Sequence, residues 1–271
     1  MTVSLRRFFF LLMSWPLLQS CGSGSQETQS ANTAPKDTLQ WLQETLKAHP
    51  DSLKTRIELS NWLKRRGSLD SALMPLEAGL RMDSTLTVLH NLKALLLLDK
   101  GDSAGAVRSL VQSINLQPEQ TDVHLELGFI YAAQKNKSAL TVANFLLSQS
   151  QDPSLQSQAR YLKGVYYTNM GMKREAMKVY DEIIVNDYTF LDAYMEKGIL
   201  QYEEKQFNEA LKTFDKALVI SNTNAEAYLW TGKCLEALGR KNEALDFYKK
   251  TAGLNAGLKE AEEGVARLEG K

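Results

Sequence analysis

The 271-residue chain is predicted to be all-α, an α-solenoid of about six helical hairpins with a capping helix at each end. Three observations lead there. A small residue recurs at Ser60, Ala94, Gly128, Gly164, Gly198 and Gly232, with a period of roughly 34 residues. A second ladder, Ala72, Ala106, Ala139, Ala176, Ala210 and Ala244, follows twelve residues behind the first, or eleven at Ala139. Within one period the apolar residues keep helical spacing, as in Tyr228, Leu229, Gly232, Leu235 and Leu238. Gly239 then interrupts, Asn242 is placed to cap a new helix, and Ala244, Leu245, Phe247, Tyr248 and Thr251 mark a second amphipathic run ending near Gly253. Self-similarity at a fixed period of this length is what a stack of identical supersecondary units produces.

Taken in order, residues 37–50 carry the apolar pattern of a single helix closed by Pro50, which suits a cap on the first hairpin. Hairpins follow near 53–86, 87–120, 121–156, 157–190, 191–224 and 225–258, all within a solenoid spanning 51–258. Small side chains at positions eight and twenty of each unit let the paired helices approach, and larger ones at position twenty-four, such as Tyr180, Phe214 and Tyr248, fill the space beside them. The first two units are looser, with Ser60 and Ala94 in place of Gly and with Leu76 and Leu110 in place of the aromatic. The third is irregular, because its internal turn is short and SQSQDPSLQ lengthens the stretch after it, so a change of superhelical pitch is expected there. Residues 259–271 form a more polar helix that would cover the last hairpin.

This spacing resembles the tetratricopeptide repeat (TPR) family over residues 53–258, most clearly in the last three units, and Pro118 falls where the family has its terminal proline. The resemblance implies a right-handed superhelix whose first helices line a concave, partner-binding face. Carried onto this sequence, the contact positions are Ile57 and Asn61, Asn91 and Leu95, Leu125 and Phe129, Tyr161 and Val165, Met195 and Ile199, and Leu229 and Lys233, with Tyr202 added at position twelve. Such a face suits an amphipathic helix or an extended apolar peptide. One family subtype grips a C-terminal carboxylate with Lys and Asn. Asn61 fits that pattern, but Ile57 replaces the lysine, and Asp122 and Glu126 are acidic where the third helix would be cationic, so that clamp is disfavoured.

The N-terminus reads differently. Arg6 and Arg7 precede an apolar run from Phe8 to Leu18 broken by Ser14 and Pro16, the pattern of a signal peptide over residues 1–20. Leu18, Gln19, Ser20 and Cys21 resemble a bacterial lipoprotein processing site of the relaxed Bacteroidota type, which makes Cys21 the lipid-modified residue and the membrane a partner through that anchor. Acyl chains bury about 0.8 kcal/mol per methylene, so several chains hold a protein on a bilayer almost permanently. Residues 21–36 would then be a flexible linker reaching roughly 20 Å. Gly22 is not the aspartate that marks inner-membrane retention in the enterobacterial pattern, so a periplasm-facing outer-membrane lipoprotein is expected.

Charge and chemistry narrow the function further. Lys and Arg total 32 against 32 Asp and Glu, which gives nucleic acid no basic surface to bind. No Gly-rich phosphate loop, HExxH helix or GxSxG elbow occurs, so no catalytic residues and no cofactor are expected. His90 and His124 stand one period apart at position four but lack converging ligands, and they read as replacements for the aromatic found there as Tyr194 and Tyr228, not as a metal site. Cys234, the remaining thiol once Cys21 is modified, reads as a small packed side chain. The Lys64, Arg65, Arg66 cluster before Gly67 complements a helix C-terminus. The chain is therefore expected to be a noncatalytic scaffold or adaptor of the cell envelope that binds a protein or peptide partner. The alternative is a homo-oligomer that uses the same face for self-association.

Overall fold

A computed structural model describes residues 38–270; the signal segment, Cys21 and the linker lie outside the described residues. Among those residues the secondary structure is fourteen α-helices. A capping helix α1 (Thr38–Ala48) is followed by the hairpins α2 (Leu53–Arg65) and α3 (Leu69–Met82), α4 (Thr87–Asp99) and α5 (Ser103–Leu116), and α6 (Thr121–Ala133) and α7 (Ser138–Gln149). The later hairpins are α8 (Pro153–Asn169) and α9 (Lys173–Asn186), α10 (Leu191–Glu203) and α11 (Phe207–Ile220), and α12 (Ala225–Ala237) and α13 (Lys241–Leu254), closed by α14 (Lys259–Glu269). The chain divides into two compact units, the first ending at Ile130 and the second starting at Tyr131.

The turn inside every hairpin is set by one backbone conformation. Position fifteen is left-handed throughout: Gly67, Gly101, Gly171 and Gly239 have φ between 74° and 82°, and Lys135 and Lys205 adopt 57° and 61°. The following amide reaches back to the last turn of the first helix, as in Ser68 N to Leu63 O at 3.1 Å and Arg240 N to Leu235 O at 2.9 Å. This closes orphan carbonyls in the Schellman manner. Two starts differ from the sequence reading. Arg240, not Asn242, occupies the cap position of α13, and α8 begins at Pro153, where Asp152 accepts a bond from Leu155 N at 2.8 Å and adds a turn ahead of residue 157.

In the first unit the hairpins close on aliphatic side chains. Leu76 and Leu110 are fully buried, and Ser60 donates its hydroxyl to Ala72 O at 2.8 Å across the α2–α3 contact. Arg56 is buried, and its guanidinium is held by the carbonyls of Pro75 (3.2 Å) and Pro50 and by Met82 Sδ (2.9 Å). Outside the core, Lys93 pairs with Glu77 at 2.8 Å, joining α4 to α3.

The second unit closes on rings. A Cβ added to Gly164 would lie 2.4 Å from Tyr180, one on Gly198 2.6 Å from Phe214, and one on Gly232 3.0 Å from Tyr248. The glycine at position eight is therefore the space that the aromatic at position twenty-four occupies. Lys197 with Asp181 repeats, three hairpins later, the placement of Lys93 with Glu77. The last helix completes the stack. Gly264 of α14 lies against the other side of the Tyr248 ring, Arg267 clamps Glu236 with bonds of 2.8 and 2.7 Å, and Tyr248 donates to the same carboxylate at 2.7 Å. That network holds Glu236 below the usual carboxylate range, chiefly through Arg267.

Candidate functional site

The residues expected to meet a partner sit on the first helices, and the two units treat them differently. In the first unit Ile57 and Asn61 on α2, Asn91 and Leu95 on α4, and Phe129 on α6 are half-buried, while Leu125 is buried. Polar bonds brace this face. Lys64 Nζ meets Asp99 Oδ2 at 2.8 Å, Asn91 Nδ2 donates to Gln120 Oε1 at 3.2 Å, and Arg66 lies 4.5 Å over the Trp62 ring. The Lys64–Arg66 cluster is thus drawn into local contacts. Asn91 Oδ1 and Glu126 Oε2 are covered and have no hydrogen-bond partner among the described residues. Burial first, and then the charge of Asp122 one turn away, push the Glu126 carboxyl up to about 7.

In the second unit the same positions serve the core. Tyr161, Val165, Met195, Ile199 and Leu229 are all at or below 7% exposed. Tyr161 packs between Tyr180 (6.1 Å) and Phe190 (5.4 Å), Met195 and Ile199 belong to the cluster around Phe214, and Leu229 to that around Tyr248. These five do not offer the open apolar surface the sequence suggested, because the rings at position twenty-four draw the first-helix side chains inward. Tyr202 and Lys233 stay half-buried. Sequence reading missed what joins them: Trp230 lies 5.3 Å from Tyr202 and stacks on Phe214 at 6.3 Å, while Lys233 sits 4.4 Å over its ring and pairs with Glu260 at 2.6 Å. The signal was a Trp one helical turn before Lys233.

The position-four residues have a structural task. His90 Nε2 donates to Ser84 O at 3.0 Å and His124 Nε2 to Pro118 O at 2.9 Å, each six residues upstream, as Tyr228 OH donates to Asn222 O at 3.0 Å. A carbonyl only accepts, so Nε2 carries the proton in both imidazoles. Arg56 reaches Pro50 O over the same interval. No group of three metal-ligating side chains converges among the described residues. Cys234 is fully buried, and burial pushes its thiol up to about 12, leaving no thiolate to react. No described helix is long and apolar enough to cross a membrane.

Comparison with known proteins finds the repeat in the second unit. Family models described as tetratricopeptide repeat match residues 157–184 and 201–267. The chain carries tetratricopeptide repeats. Solved TPR structures share the fold at low identity. A TPR protein from Parabacteroides merdae superposes with a TM-score of 0.66 at 18% identity, over 86% of this chain and 91% of that one. PilW, a type IV pilus biogenesis factor, gives 0.61 at 17% identity, over 77% and 96%. Pseudomonas aeruginosa pilF gives 0.53 at 19% identity, over 84% and 99%. Among curated proteins no sequence match is found. At these identities the shared property is the TPR fold, a scaffold for protein–protein interaction.

Proposed function

We propose that this TPR protein is a noncatalytic adaptor, anchored through a lipid on Cys21 to the outer membrane and holding a peptide or helix of an envelope protein on the first-helix face of its N-terminal unit. The observation that carries the reading is the half-open surface of α2 and α4, where Ile57 and Leu95 supply apolar contact and Asn61 supplies an amide that can bond a peptide backbone. The equivalent second-unit positions are closed, so the burden of recognition falls on the N-terminal unit. The signal-like N-terminus and Cys21 support the anchor.

The test is affinity capture from native envelopes with wild type and an Asn61→Glu, Leu95→Lys variant, whose lysine stem can still cover the neighbouring apolar surface. The variant is expected to lose its specific partners at unchanged helical content; retention of every partner overturns the placement. In parallel, Cys21→Ala is expected to move the protein from the membrane to the soluble fraction, and an unchanged distribution rejects the anchor.

A further inference from the structure

The second helices of the first unit carry a feature outside the first-helix face. A cleft of about 430 Å³ lies among α3, α4 and α5, within the range of small-ligand pockets. Leu80 and Leu97 give it apolar wall; Glu77, His90, Lys93, Asp102, Gly105, Arg108, Ser109 and Gln112 complete the lining. Gly105 stands in its wall. At the same place in their hairpins, α9, α11 and α13 carry Glu175, Glu209 and Glu243, acids that favour a helix first turn. The first turn of α5 has no acid, and its glycine is a poorer helix former than alanine. A Cβ on Gly105 would lie 2.3 Å from Asp102 Oδ2, so the missing side chain makes room for the capping carboxylate at the cleft wall.

Most polar groups there are already engaged. Lys93 and Glu77 pair at 2.8 Å, Asp102 Oδ1 accepts from Gly105 N at 2.8 Å, Ser109 donates to Gly105 O at 3.1 Å, and His90 donates to Ser84 O at 3.0 Å. Arg108 and Gln112, one turn apart on α5, are exposed lining residues with no partner among the described residues. A guanidinium offers five donors to a carboxylate, and an amide adds two beside it.

We propose that this cleft is a second peptide-binding site, for a short segment of a protein partner that sets an apolar side chain beside a carboxylate. The apolar group lies on Leu80 and Leu97, and the carboxylate meets Arg108 and Gln112.

The experiment titrates acetyl-Gly-Phe-Glu-Gly-amide, and its Glu-to-Gln counterpart, into the full chain with labelled Leu methyls and backbone amides. The Glu peptide is expected to shift the Leu80 and Leu97 methyls and the Gly105 amide, and to bind about fivefold tighter than the Gln peptide, as one half-exposed ion pair provides. Arg108→Glu, at an exposed position, is expected to erase that preference with helical content unchanged. Absence of binding, equal affinities, shifts confined to other residues, or a preference that survives Arg108→Glu each overturn the proposal.

Discussion

The two units solve one packing problem with different materials. Hairpins α8–α9, α10–α11 and α12–α13 set an aromatic ring on a glycine, whereas α2–α3 and α4–α5 carry buried Leu76 and Leu110 at the ring's position and buried Ser60 and Ala94 at the glycine's. A ring on bare backbone buries more area per contact and draws Met195, Ile199 and Leu229 inward. A leucine on a Cβ spans less, and the N-terminal unit adds polar links such as Ser60 to Ala72 O and Asn91 to Gln120. Tight hairpins spend their first-helix side chains on the core; looser ones leave them partly free. Recognition and stability thus draw on the same positions, and the units divide the two tasks.

The contrast can be broken at its centre. Phe214→Ala, at a fully buried ring, is expected to cost about 4 kcal/mol by denaturant unfolding, and Gly198→Ala about 2 kcal/mol through overpacking. Combining Gly198→Ala with Phe214→Leu recreates the Ala94 and Leu110 pairing and is expected to cost less than the two substitutions separately. Strict additivity would show that ring and glycine are not one unit.

A smaller effect sharpens the polar character of the N-terminal unit. Glu126 has its folded-state value raised from 4.5 to about 7, so the folded state holds the proton more tightly than the unfolded chain. Its contribution is fullest below the ordinary value, is lost as pH rises from 4.5 to about 7, and stays lost above. Glu126→Gln is expected to gain about 2 kcal/mol near pH 8 and almost nothing near pH 4, measured as the pH dependence of unfolding. A gain independent of pH would place the effect elsewhere.

The smallest test concerns turns. The N-terminal unit turns on Gly67 and Gly101, while the second unit turns on Gly171 and Gly239 but also places Lys135 and Lys205 in the same left-handed conformation. Lys205→Gly is expected to stabilise by about 1 kcal/mol, visible as a raised Tm, and Gly67→Ala to destabilise by a similar amount. No change in either would mean the turns relax freely.

Much of this was legible in the sequence, for a physical reason. Gly164 and Tyr180 stand sixteen residues apart because a ring must fill a fixed gap, and such constraints repeat with the fold. The candidate face was less legible. Family positions name which residues point toward the first-helix side, yet whether Met195 or Leu95 remains open depends on the size of neighbours in the adjoining helices, which spacing does not encode. The early start of α8 followed from Asp152 and Pro153, a cap signal outweighed by the period.

The bond from position four to the carbonyl six residues upstream has a consequence for how such chains drift. Guanidinium, imidazole and phenol all perform it, in Arg56, His90, His124 and Tyr228. What these four joints share is a donor of a certain reach, and residue identity varies among them. At these four joints charge, aromaticity and size all differ while the latch is kept, so repeats can lose their resemblance in letters and keep it in bonds.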